Sequence, residues 1–232
     1  MFKRNVRRLN LAIKRLFDFT SSGILIVLLL PFWVGIAVAI KKDSKGPVLF
    51  KQGRRTQNGR VFYMLKFRSM VTGAEHMGTG LFNYADDPRV TRVGRKLRDT
   101  SMDELPQLFN ILKGDMSVIG PRPCVTYELG DFDTLNRKYK KRFKVKAGLT
   151  GYAQIKGRNR ISWDEKVELD NQYVDLFKRY GILIDIKLLI DSAGVFFKKE
   201  NICEKKADED LDDAAAAELA EKEIIRIAHL PD

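Results

Sequence analysis

The run FTSSGILIVLLLPFWVGIAVAI, residues 19–40, decides how the rest of the chain is read. It holds 22 residues without a charge, and a bilayer-crossing helix needs about 20. Two features argue against a plain crossing. Pro31 stands at its middle and lacks the N–H that would bond the Val27 carbonyl, which predicts a kink. Lys3, Arg4, Arg7, Arg8, Lys14 and Arg15 precede the run, and Lys41, Lys42 and Lys45 follow it, so both ends claim the cytoplasmic side. The arms on either side of Pro31 are each ~14–17 Å long, half of a ~30 Å hydrocarbon core. The pattern predicts a re-entrant helix dipping into one leaflet. A Pro-kinked single span is the alternative, since membrane helices tolerate proline. Lys41-Lys42 directly after the run, with no small-x-small site, argues against a cleaved signal peptide.

Outside this run, 232 residues of which 44% are hydrophobic suffice for one sizeable core with appendages. The net charge of +12 is uneven: residues 1–60 carry 13 Lys or Arg against Asp18 and Asp43, leaving only +1 for the rest. The basic surface is therefore N-terminal. Cys124, Cys203, His76 and His229 are spaced for neither a disulfide scaffold nor a zinc site, which fits a reducing, cytosol-facing location.

Gly46-Pro47 opens a different pattern. Residues 48–50 and 61–67 predict two strands around the polar turn Gln57-Asn58-Gly59-Arg60, a β-hairpin. Residues 73–90 predict a loop, a helix is expected from near Asp103 to Gly114, and amphipathic helices are expected over 126–143, 162–178 and 182–198, some lying in a membrane interface. The fold class is thus α/β, helix-rich with a small sheet. The boundaries are 1–45 for the basic N-terminus and re-entrant helix, 46–200 for the catalytic domain, and 201–232 for an acidic, alanine-rich tail expected to form a solvated helix away from the active site.

Thr100-Ser101-Met102-Asp103-Glu104-Leu105-Pro106 carries the chemistry. Ser101 and Glu104 have the spacing of a capping box, a purely structural use. Pro106 would then fall beyond the first turn and cost a hydrogen bond. With Met102 or Asp103 as N-cap it costs little, and both carboxylates project from the positive end of a helix, where a metal or an attacking carboxylate is favoured. Lys66, Arg68, Arg95, Arg98, Gly120-Pro121-Arg122-Pro123 and Gly148-Leu149-Thr150-Gly151 through Gly157-Arg158 add guanidinium forks suited to phosphate oxygens and loops able to approach a ligand closely.

Lys66-Phe67-Arg68-Ser69-Met70, Asp103-Glu104-Leu105-Pro106-Gln107-Leu108-Phe109-Asn110, Lys113-Gly114-Asp115-Met116-Ser117 and these two glycine-bearing motifs resemble the bacterial sugar transferases known as monotopic phosphoglycosyl transferases, from about Lys14 to Lys198. The resemblance implies a re-entrant helix, a small α/β domain at the cytoplasmic face of the bacterial inner membrane, and a magnesium-dependent ping-pong reaction. It implies that Asp103 attacks the diphosphate of a UDP-sugar, releases UMP and holds a phosphosugar, which undecaprenyl phosphate then accepts. Glu104 and Asp103 are the implied metal ligands, and Lys66, Arg98, Arg122 and Arg158 the implied anion or nucleotide contacts. The resemblance implies membrane lipid as a partner and no nucleic acid, with a homo-oligomer left open. Leu30-Pro31 stands where many relatives have Ser-Pro. Two other readings compete: a phosphohydrolase using the same Asp103, and a basic peripheral membrane-binding protein in which Asp103-Glu104 is only a cap.

Overall fold

A computed structural model describes residues 2–74, 77, 87–157, 161–197 and 222–230. Helix α1 (Phe2–Asp43) runs unbroken through Pro31. Asp18, Ser22, Ile26, Leu29, Trp33, Ile36 and Ile40 recur every third or fourth residue, the spacing that puts them on one face, and this stripe is turned into the protein. Phe19, Ile24, Val27, Leu28, Leu30, Val34 and Val38 are exposed on the rest of the helix. The apolar run therefore lies against the folded domain along its length. Trp33 meets Phe67 and Phe109 edge-on, with ring centroids 6.0 and 5.1 Å away.

Polar groups fasten both ends of this stripe. Lys14 Nζ donates to Asp185 Oδ2 at 2.5 Å and to the Ile119 carbonyl at 2.9 Å, and Asp185 Oδ1 accepts from the Tyr173 hydroxyl. The Arg15 guanidinium donates to the Ile111 and Leu112 carbonyls, and Asp18 Oδ1 accepts from Ser117 Oγ and the Val118 N–H. At the far end Asp43 Oδ2 accepts the Val93 N–H at 2.7 Å. Lys14 and Arg15 thus correct the reading of the sequence. They are internal fasteners, not flanking charges offered to a membrane surface.

The predicted hairpin is present: β1 (Leu49–Arg55) pairs antiparallel with β2 (Val61–Phe67), Leu49 facing Phe67 and Arg55 facing Val61. Asn58 and Gly59 make the turn in left-handed conformation (φ 57° and 75°), which Asn tolerates and Gly adopts freely. Helices α2 (Arg92–Asp99) and α3 (Gln107–Lys113) follow, then β3 (Ser117–Ile119), α4 (Arg137–Lys141), β4 (Gly148–Thr150), α5 (Tyr152–Lys156), α6 (Trp163–Tyr180) and α7 (Ile182–Phe197). Strands β3 and β4 form a short parallel pair. The main core joins α1, the hairpin, α2 and α3 through Trp33, Ile40, Phe62, Met64, Leu97, Leu108 and Ile111. A second apolar layer, Ile119, Tyr173, Phe177, Ile184 and Leu188, ties β3 to α6 and α7. On α7, Leu183, Ile186 and Ile190 stay exposed.

Two expectations are corrected. The helix over 126–143 shrinks to α4 with a 3-10 turn after it. Gly130 takes φ +67°, Asp133 N–H bonds Asp131 Oδ1, and Asn136 caps α4 through the Tyr139 N–H, so local side-chain bonds replace the first helical turns. The tail does not end in a solvated helix: residues 222–228 form a helix, α8, that docks on the domain. Ala228 is fully buried with Leu129, Leu135, Tyr139, Phe143 and Val167, and its carbonyl accepts the Asn136 N–H. Residues 201–221 and most of the 73–90 loop lie outside the described residues.

Candidate active site

Strand alternation places Lys66 beside the acidic pair while its neighbour Phe67 enters the core. Lys66 Nζ donates to Glu104 Oε1 at 2.9 Å and lies 3.8 Å from Asp103 Oδ2. Asp103 and Glu104 sit on a single 3-10 turn (Met102–Glu104), held to the main core by Met102 and Leu105. Ser101, just before it, has φ +54°, a left-handed conformation that a non-glycine residue adopts at a cost of roughly 1–2 kcal/mol.

This geometry corrects the capping argument. Ser101 makes no side-chain cap, and neither Met102 nor Asp103 caps the α-helix, because α3 begins only at Gln107 with Pro106 in the capping position. Pro106 is thereby placed where its missing N–H costs nothing. Cations, not a helix end, dominate the field at the acidic pair. Arg122 Nη2 donates to Glu104 Oε1 at 3.2 Å, and Arg98 Nε donates to Ser69 Oγ at 2.9 Å, close enough for its charge to act on Asp103.

The two carboxyls are driven apart. Burial pushes Asp103 above its ordinary value and the Glu104 charge adds to this, while Lys66, Arg98 and Arg122 pull back without reversing it. At Glu104 burial also pushes upward, but Lys66 and Arg122 outweigh it and hold the carboxyl well below the usual carboxylate range. Two adjacent carboxyls are thereby set in different ranges, a pattern found where carboxyl pairs divide acid–base or nucleophilic work. If Asp103 reacts as the carboxylate, activity falls as pH drops through its raised pKa. The acid limb of kcat/KM should then have its midpoint above the ~3.9 of an ordinary aspartate. A limb centred at or below that value would contradict the assignment.

The glycines of the two motifs approach each other. A Cβ on Gly148 would lie 2.1 Å from the Gly120 nitrogen, and one on Gly120 would lie 2.3 Å from the Lys146 carbonyl oxygen. This joint carries β3 into Gly120-Pro121-Arg122-Pro123 and so delivers Arg122 to Glu104. Gly148→Ala forces backbone apart and should cost roughly 3 kcal/mol, about 6–12 °C in melting temperature for a chain of this size. An unchanged melting curve would count against the joint.

Of the site residues predicted, Lys66, Asp103, Glu104, Arg98 and Arg122 come together, and Arg158 lies outside the described residues. Arg68 goes elsewhere: its guanidinium bonds the Ser44 and Lys45 carbonyls and closes the C-terminus of α1. Ser69 and Arg54 were missed. Arg54 Nη1 donates to the Pro123 carbonyl at 2.8 Å, and only the alternation of polar residues along β1 hinted at it. Cys124 is buried, its thiol pushed up to about 11, and is chemically inert.

Buried Asp103 and partly buried Glu104 thus lie under converging cations. The chain belongs to the bacterial sugar transferase family, whose model matches residues 9–199. It is 42% identical over 184 residues to the undecaprenyl-phosphate glucose phosphotransferase of Komagataeibacter xylinus, covering 76% of this chain and 34% of that protein. With the UDP-glucose:undecaprenyl-phosphate glucose-1-phosphate transferase of Klebsiella pneumoniae it shares 41% over 191 residues, 82% of this chain and 41% of that protein. It is 40% identical over 177 residues to the uncharacterized sugar transferase EpsL of Bacillus subtilis, 76% of this chain and 83% of that protein. The chain therefore spans well under half of the first two relatives and most of the third.

Proposed function

We propose that this chain transfers a sugar-1-phosphate from a UDP-sugar to undecaprenyl phosphate through a covalent intermediate on Asp103, the first membrane step in assembling a surface glycan. One observation carries the reading: Asp103 and Glu104 are adjacent, oppositely shifted carboxyls under Lys66 and Arg122. An Asp103 oxygen attacks the sugar-bearing phosphorus, and the bond from that phosphorus to the UMP oxygen breaks, its electron pair leaving with UMP. A phosphate oxygen of the lipid then attacks the same phosphorus and expels the Asp103 carboxylate. Lys66, Arg98 and Arg122 offset the negative charge of the diphosphate as these bonds exchange. The relatives' names supply undecaprenyl phosphate and UDP-glucose as the substrate classes of those proteins.

Magnesium fits this donor set. Both contacts of Glu104 fall on Oε1, so Oε2 and the Asp103 carboxyl offer hard oxygen donors. No group of three or more His, Cys, Asp or Glu side chains suited to a metal occurs among the described residues. Magnesium is commonly bound through one or two carboxylates with substrate phosphates completing its shell. When bound it would neutralise diphosphate charge and stabilise the departing UMP.

The topology is read as monotopic, with both ends of α1 and the catalytic residues on the cytoplasmic face. Lys14 and Asp43 bind the same domain, and the stripe between them packs on it. A full crossing would draw that domain into hydrocarbon or strip the helix from it. The exposed apolar residues of α1 and of α7 then face lipid.

The hydrolase alternative differs in who discharges the intermediate. Protein loaded with a UDP-sugar labelled in the sugar, freed of UMP and given polyprenyl phosphate, should pass the label to the lipid fraction. Release of the label as free sugar phosphate, unaffected by the lipid, would support the hydrolase and contradict the transferase.

A further inference from the structure

The side chain of Arg122 is half-exposed, yet it must hold one direction to reach Glu104. Little packs against such a side chain, so its aim is set by its backbone. Pro121 and Pro123 stiffen that backbone, Pro123 restricting Arg122 to extended conformations. Three consecutive carbonyls of the motif are each bonded: Pro121 O by the Gly148 N–H at 2.9 Å, Arg122 O by Arg142 Nη2 at 2.7 Å, and Pro123 O by Arg54 Nη1.

Arg142 is the unexpected member. It follows α4, twenty residues from Arg122, and is only 3% exposed. The same Nη2 pairs with Asp170 Oδ2 of α6 at 2.8 Å, and the guanidinium lies 5.1 Å from the Trp163 ring and 5.5 Å from that of Phe143. Its Nε and Nη1, and Asp170 Oδ1, have no hydrogen-bond partner among the described residues. A buried pair so incompletely satisfied adds little stability over an apolar pair of equal volume. What it does secure is the Arg122 carbonyl.

We infer that Arg142, anchored by Asp170 and Trp163, is a positioning residue for the transfer reaction, fixing the backbone from which Arg122 reaches Glu104 and the substrate diphosphate. The inference rests on the transferase reading given above. Arg142→Ala would strand Asp170 in the interior and risks unfolding, so the test replaces both partners, Arg142→Met with Asp170→Leu. The milder Asp170→Asn decides if that pair fails to fold. UMP release is measured on the full chain with a UDP-sugar that the wild type turns over, with and without Arg122→Ala. With Arg122 present, the paired variant should keep the wild-type melting curve and lose roughly 10–100-fold in kcat/KM. In the Arg122→Ala background the same change should cost less than about twofold, because nothing is left to position. Asp170→Asn should show the same dependence on Arg122 with a smaller loss. Equal losses in both backgrounds, or full activity with Arg122 present, would overturn the inference while leaving the transferase intact. A wild-type chain that releases no UMP from any UDP-sugar would overturn both.

Discussion

Asp103→Asn leaves a folded protein that releases no UMP and forms no phosphosugar adduct. The substitution keeps the size of the side chain on its 3-10 turn and removes only the charge and nucleophilicity of the oxygen. Losing a covalent nucleophile typically costs at least ~10⁴-fold. Glu104 cannot stand in for it. Lys66 and Arg122 hold Glu104 strongly acidic and engage its Oε1, making it a poor nucleophile. Turnover of Asp103→Asn within tenfold of wild type, in a preparation checked by mass for reversion to Asp, would mean that the chemistry runs through another group.

Lys66→Met should lower kcat by roughly 10²–10³-fold, the range for losing one preorganised charge-stabilising donor. Lys66 is the one side chain in ion-pair range of both carboxyls among the described residues, and methionine keeps its length and apolar stem. Because Lys66 lowers the pKa of Asp103, its removal should also move the acid limb of kcat/KM toward neutral pH. A fall in kcat without movement of that limb would place Lys66 on the substrate alone. Unchanged kcat would remove it from the site.

Much of this was legible in the chain. The hairpin followed from the two apolar runs around Asn58-Gly59 and α6 from its amphipathic pattern over 162–178, and the cations singled out beside the acidic pair, Lys66, Arg98 and Arg122, do gather around it. Partners distant in sequence were not legible. Lys14 and Arg15 look like membrane-flanking charges until Asp185 and the end of α3 are seen beside them. Nor does the sequence show that Gly120 and Gly148 bring their backbones into contact. Composition hid α8 as well: the acidic, alanine-rich stretch before it suggested solvent, while Ile224, Ile227 and Ala228 supply a short apolar face that fills the second core cluster. Sequence periodicity records which face of an element is apolar, but not what it packs against.

The central claim is that Asp103 carries the sugar-phosphate between donor and acceptor. It is tested most directly by exposing the full chain to a UDP-sugar without any lipid acceptor and measuring intact mass and peptide masses after an acid quench. The account predicts a single phosphosugar increment, mapped to the peptide containing Asp103, with about one equivalent of UMP released per protein. UMP formed only after polyprenyl phosphate is added, with no mass increment beforehand, would contradict it and show direct transfer from donor to lipid.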